Sequence, residues 1–266
     1  MANVTAKDVQ ALRQATGAGI LDARRALVEN DGDAERAMQW LREQGLAGAS
    51  KRSDRERSEG AISVVVTGEG RLGAIVALEC ETDFVAKSAD FVRLVDTLAD
   101  GLAREGEAAV EAVTDEIDQL KVTLKENIAV GKRVRFEAAE GGVLESYLHV
   151  QNGRGVNGVL VELAGGSAEL AHDIAVHIAF ARPEYLRRED VPEDLVTGEQ
   201  TTVEAMARNE GKPEAQLEKI VEGRMNGWFK ERVLLEQPFA KDEKRTITQV
   251  LGSAELRRFA QVLIGA

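Results

Sequence analysis

At Ala61 the apolar repeat of this chain changes from a helical period to a strand period. From there Ile62, Val64 and Val66 alternate with Ser63 and Thr67, and Gly68-Glu69-Gly70 makes a turn. Leu72, Ala74, Val76, Leu78 and Cys80 then share one face of a second strand. Upstream of Ala61 the pattern is that of three short helices. Thr5 is placed to cap the first, which carries Val9, Leu12 and Ala15 on one stripe. Thr16-Gly17-Ala18-Gly19 breaks it, and the second helix turns Ile20, Ala23 and Leu27 inward. The third follows Asp33, with Ala34, Ala37, Met38 and Leu41 inward and Gly45 as a stop. Residues 1–46 therefore form a three-helix module. Residues 47–60, with the run Lys51-Arg52-Ser53-Asp54-Arg55-Glu56-Arg57-Ser58-Glu59, form a solvated linker or helix extension.

Beyond the hairpin the spacing predicts a helix with Phe91, Leu94, Val95, Leu98 and Leu102 inward, and another with Ile117, Leu120, Leu124 and Ile128. Val134–Ala138, Val143–Val150 and Val159–Leu163 read as three more strands. Ser167 caps a helix bearing Leu170, Ile174, His177 and Ile178, which Pro183 stops. The stretches opening Gly70-Arg71-Leu72-Gly73 and Gly153-Arg154-Gly155-Val156 each run turn, apolar strand, helix, which indicates two related α+β halves. Short hairpin connections make their sheets antiparallel. The first half spans residues 61–139. The second, with a C-terminal module, spans 140–183 and 229–266. Between its parts, residues 184–228 form a helical hairpin: a short helix over Val203–Arg208, a turn at Asn209–Pro213, and a longer helix with Leu217, Ile220, Val221 and Trp228 on its stripe. A last short helix lies near Thr246–Leu251, and the apolar run Phe259–Ile264 closes a sheet.

Composition narrows the function. The chain has 266 residues, 44% apolar and 30% charged, and a formal net charge of -12. That charge argues against broad binding of nucleic acid, where Lys and Arg must neutralise phosphates. One cysteine, Cys80, excludes an internal disulfide and fits a reducing, cytoplasmic setting. No apolar run reaches the length of a membrane span and no basic-then-apolar leader opens the chain.

Catalytic and cofactor motifs are equally thin. Gly17 and Gly19 lack the preceding strand and the following Gly-Lys-Ser/Thr of a phosphate loop. Gly153-Arg154-Gly155-Val156-Asn157-Gly158 spells a dinucleotide fingerprint, but a strand follows it where the fold requires a helix. Cys80 lies on an apolar strand face, and His149, His172 and His177 are not spaced as metal ligands. No cofactor or metal is expected.

One stretch remains: Glu81-Thr82-Asp83-Phe84-Val85-Ala86-Lys87, at a strand-to-helix joint. Burying Phe84 would drag the charge of Asp83 with it, and an unpaired buried carboxylate is costly. The loop is therefore either tethered locally or offered to something else. From the residues alone three functions stay open: a contact protein using this loop, a scaffold using the N-terminal bundle, and an enzyme using Cys80.

Four stretches together resemble one family, the bacterial translation elongation factor Ts. Leu12-Arg13-Gln14-Ala15-Thr16-Gly17-Ala18-Gly19-Ile20-Leu21-Asp22 is similar to its N-terminal signature, and Glu81–Lys87 to its central one. Glu222-Gly223-Arg224-Met225 and Gln237-Pro238-Phe239 match further family stretches. The resemblance implies an N-terminal module of the ubiquitin-associated type, a two-part α+β core and a helical hairpin. It also implies a guanine-nucleotide exchange factor, without covalent chemistry, that binds elongation factor Tu in its GDP-bound and nucleotide-free forms. In that family an Asp-Phe pair wedges into the partner's G domain beside its magnesium site. The resemblance assigns this role to Asp83 and Phe84, with Thr82 and Val85 shaping the loop. It makes His149 a contact of the second half, and Leu12, Thr16, Gly17, Gly19 and Ile20 contacts of the N-terminal module. Direct nucleotide binding, a membrane and specific nucleic acid are not expected. The helical hairpin serves dimerisation in some members, so a homodimer through it is an expectation.

Overall fold

The computed structural model describes residues 4–50 and 52–265; residues 1–3, Lys51 of the mixed-charge run and Ala266 lie outside them. Three helices open the chain: α1 (Ala6–Thr16), α2 (Ile20–Glu29) and α3 (Ala34–Ser50). Thr5 caps α1 through a reciprocal pair in which its hydroxyl accepts from Asp8 N and the Asp8 carboxylate accepts from Thr5 N. Val9, Leu12, Ala23, Ala26, Leu27, Ala37 and Leu41 form the module's core.

Three details depart from the sequence pattern. Ile20, expected inward, is 58% exposed, because it sits on the first turn of α2 ahead of the buried Ala23, Ala26 and Leu27. Ala15 and Met38 are exposed as well. Gly45 does not stop α3. A Cβ there would lie 2.5 Å from Val122 Cγ1, so the glycine serves close approach to another helix while α3 runs on to Ser50.

The core begins with β1 (Glu59–Thr67) and β2 (Leu72–Cys80), paired antiparallel from Glu59↔Cys80 to Thr67↔Leu72. A one-turn helix α4 (Asp83–Ala86) leads to α5 (Ala89–Glu105), then α6 (Glu107–Ala112) and α7 (Thr114–Leu124). Phe91, Leu94, Val95, Leu98 and Leu102 of α5 are all buried, as their spacing requires. α6 was not expected, and α7 ends earlier than expected. Lys125 takes a left-handed conformation at φ 59°, so Ile128 lies beyond the helix and is buried ahead of the next strand.

β3 (Ala129–Glu137) pairs with β2, and β4 (Gly142–Gln151) pairs with β5 (Arg154–Ala164) through a tight turn at Asn152-Gly153. Gly153–Gly158 is thus a hairpin turn and strand. Ser167 caps α8 (Ala168–Ala181), its hydroxyl accepting from Leu170 N. The helical hairpin is α9 (Glu193–Asn209) and α10 (Glu214–Arg232). α9 is longer than the expected Val203–Arg208, since its first turns are polar and show no stripe until Val203 and Ala207 pack inward. A small hairpin, β6 (Pro238–Phe239) and β7 (Asp242–Thr246), precedes α11 (Ile247–Leu251), and β8 (Glu255–Leu263) returns to pair with β5.

All six long strands join in one antiparallel sheet, ordered β3-β2-β1-β5-β4 with β8 also on β5. The join between β1 and β5 is a single register pair, Ile62↔Gly155. Two halves flank it. Each is a hairpin, a helix, and a third strand returning to the hairpin's second strand: β1-β2-α5-β3 and β4-β5-α8-β8. Alternation along β2 divides its side chains. Ala74, Val76 and Leu78 face α5, while Ile75 and Ala77 face a shared inner cluster with Phe136, Leu144, Leu160 and Val262. Likewise Val159, Val161 and Leu163 of β5 face α8, and Leu160 turns to that inner cluster. The approach is close. A Cβ on Gly158 would come within 2.6 Å of Val64 and 2.8 Å of Ile62.

Candidate functional site

The stretch after β2 is held at its base and bare at its tip. Thr82 caps α4, its hydroxyl accepting from Val85 N at 3.4 Å. The same hydroxyl donates to Glu126, just beyond α7, and the Glu126 carboxylate also accepts from Glu81 N at 3.0 Å and Thr82 N at 3.1 Å. Asn127 N donates to the Glu81 carboxylate at 2.7 Å, and Arg55 pairs with it from the other side. Val85 and Ala86 sink into the core beneath α5. The loop is therefore tethered through Thr82, Val85 and Ala86.

Asp83 and Phe84 point away from that anchorage. Phe84 is 83% exposed, the most exposed large apolar side chain among the described residues. Asp83 is part-exposed and pairs with Lys87 one turn on. The hydrogen bond from Lys87 holds the Asp83 carboxyl below the usual carboxylate range, and the charge of Arg154 adds to this, so Asp83 is an anion at neutral pH. Arg154 itself is largely buried. It pairs with Glu59 and donates to Gly60 O, which ties the second half to the strand end from which the loop leaves.

Cys80 lies directly beneath. Its thiol donates to Thr82 O at 3.2 Å, and burial, then the neighbouring Glu126 charge, pushes its pKa up to about 12. A thiol so held stays protonated and is a poor nucleophile. Among the described residues no group of His, Cys, Asp and Glu is gathered to hold a metal.

The other residues singled out in the sequence lie apart from this loop. His149 is exposed near the end of β4, opposite Asn157 of β5, with Val150 exposed beside it. In the N-terminal module Leu12 is buried, and Thr16 donates to Leu12 O while accepting from Ala18 N. Gly17 closes α1 at φ 69° with Thr123 of α7 nearby. Gly19 and Ile20 are exposed, and Leu21 and Val28 add apolar surface that the expected stripe did not include. Their signal was present in the sequence, since α2 carries more apolar residues than one inward face can hold. Glu126 and Asn127 were missed, because nothing in Lys125-Glu126-Asn127 indicates a partner some 45 residues earlier.

A duplicated α+β scaffold presents an aromatic beside a carboxylate, over a protonated thiol. A family model for elongation factor Ts matches residues 81–266. The elongation factor Ts of Renibacterium salmoninarum is 43% identical over the whole of both chains. That of Kineococcus radiotolerans is 44% identical and that of Streptomyces coelicolor 40% identical, again over full length. The chain belongs to the elongation factor Ts family, the nucleotide-exchange factors of translation elongation.

Proposed function

We propose that the chain binds elongation factor Tu and promotes GDP release by inserting the Asp83–Phe84 tip beside that partner's magnesium and phosphate site. The observation that carries this reading is the contrast within one loop: Phe84 is almost fully exposed while Thr82, Val85 and Ala86 are pinned. A large apolar group held in water by a rigid base gains about 1.5–3 kcal/mol when a partner covers it. Little ordering entropy is lost in the process, because the base is already fixed.

Phe84 parts apolar elements of the partner, and the Asp83 anion disturbs the hydrogen bonding that supports the magnesium ion. Withdrawing that ion's charge loosens the β-phosphate. The pair of Asp83 with Lys87 is exposed, so it can exchange for partner contacts. Factor and nucleotide then oppose one another reciprocally, and rebinding of nucleotide expels the factor. Weakening nucleotide by about 10⁴-fold takes roughly 5.5 kcal/mol of differential binding, more than one aromatic supplies. Further contacts are therefore part of the reading: His149 on the second half, and the module bearing Leu12, Thr16, Gly17, Gly19 and Ile20, with Ile20 and Gly19 at the contact and the buried Leu12 holding them in place. No bond is made or broken.

The test is release of a fluorescent GDP from elongation factor Tu with and without the chain. Acceleration at micromolar factor is the expected result; no acceleration overturns the reading.

A further inference from the structure

Three consecutive residues after α7 each bond a different part of the molecule. Lys125 pairs with Asp22 of the N-terminal module at 2.9 Å. Glu126 takes three hydrogen bonds from Glu81 and Thr82 at the base of the exposed loop. Asn127 is buried and donates from Nδ2 to Ser53 O at 2.9 Å and to Arg55 O at 2.8 Å, in the segment that joins module to core. The preceding helix is itself packed on the module, with Val122 against Gly45 and Thr123 against Gly17. Module, connecting segment and loop thus meet on one short stretch of chain.

We propose that Glu126 is a positioning residue for nucleotide release: it sets the direction of the Asp83–Phe84 tip, and its neighbours Lys125 and Asn127 tie that direction to the N-terminal module. The inference rests on the exchange function proposed above. A carboxylate is the right group for this place. All three bonds run from donors to it, and charge-assisted hydrogen bonds of this kind are the strong ones. An amide could keep its oxygen at the N–H groups of Glu81 and Thr82, but its NH2 would then face the Thr82 hydroxyl, whose own hydrogen loses its acceptor, and the charge would be gone from the remaining bonds. The tip would keep its side chains and lose its aim. Contacts made only as the nucleotide leaves affect the maximal rate, whereas contacts made equally in the ground state affect the half-saturating concentration.

The experiment compares wild type, Glu126→Gln, Thr82→Val, and the double variant Asp83→Ala/Phe84→Ala with and without Glu126→Gln. Fluorescent GDP release from elongation factor Tu is followed over a range of factor concentrations. Glu126→Gln is expected to lower the maximal rate about tenfold, the worth of one charge-assisted hydrogen bond, with the half-saturating concentration changed less than about twofold. Thr82→Val, which keeps the carboxylate but removes the hydroxyl bond to it together with the cap on Val85 N, is expected to fall in the same direction. Added to Asp83→Ala/Phe84→Ala, Glu126→Gln is expected to cost nothing further, since the tip it aims is gone. A Glu126→Gln chain with the wild-type maximal rate overturns this inference alone, as does an equal further loss in the background without the tip. A wild-type chain that leaves GDP release unchanged overturns the exchange function and this inference with it.

Discussion

The two halves of the core run the same course and differ most at one joint. In the second half β5 passes to α8 through residues 165–167, a glycine pair and the capping Ser167, and nothing projects. In the first half β2 passes to α5 through residues 81–88, long enough for the one-turn helix that lifts Phe84 into solvent. Ser88 stands where Ser167 stands, before the helix, yet it makes no capping bond and its buried hydroxyl has no partner. The plain joint shows what stability asks of this connection. The elaborated joint departs from it, with an exposed aromatic and an unused cap, and the cost is offset by the Glu126 and Asn127 network. The contact proposed for this chain sits where the duplication is broken.

Replacing groups on either side separates the two roles. The largest expected effect is on stability and belongs to the plain half. Glu162 is 1% exposed, accepts from Ala139 N, and is held by Arg257 and Arg258; these bonds outweigh its burial and keep its pKa below the ordinary value. Glu162→Ala leaves Ala139 N and two part-exposed arginines without their shared acceptor and should cost about 2–3 kcal/mol in urea unfolding, while the folded fraction still releases GDP at the wild-type maximal rate. The opposite result belongs to the elaborated joint. Asp83→Ala/Phe84→Ala should cut the maximal release rate by about 10²-fold and leave the thermal midpoint within a degree or two of wild type, because Phe84 stands in water and the Asp83–Lys87 pair is part-exposed.

A third expectation concerns acid. His177 of α8 is buried, accepts from Ala240 N at Nδ1 and faces the Gln237 amide oxygen through Nε2, so the ring is neutral with its proton on Nε2. Burial lowers its pKa from the ordinary 6.5. The unfolded chain therefore takes up the proton first as pH falls below 6.5, and stability drops from there toward the lowered folded value. The slope is at most about 1.4 kcal/mol per pH unit, and unfolding midpoints measured against pH should lose that slope in His177→Gln. The smallest effect is that of Ser167→Ala, about 1 kcal/mol of stability with release unchanged. A change in exchange rate from Ser167→Ala or Glu162→Ala would break the comparison between the halves.

Much of this was legible in the sequence. The caps at Thr5 and Ser167 each act within three residues, and so are written locally. The first two strands, from Ile62 to Cys80, followed from alternation, because their sheet has two separately filled faces, whereas β3 begins at Ala129, five residues ahead of the expected Val134. What failed did so for physical reasons. α9 is held by its hairpin partner rather than by its own stripe, so its polar turns at Glu193–Thr202 gave no sign. Gly45 reads equally as a stop or a close approach until Val122 is set beside it.

By itself, then, the sequence determined most of the long elements, the duplication, and the presence of a carboxylate and an aromatic where a strand meets a helix. These depend on periodicity and on contacts within a turn. Only the tertiary structure decided that Phe84 stands in water while its neighbours are pinned, that Cys80 is an inert thiol beneath them, and that Glu126 holds the loop. Those facts rest on groups brought together from distant parts of the chain, and burial and hydrogen bonding across such distances belong to the packed molecule.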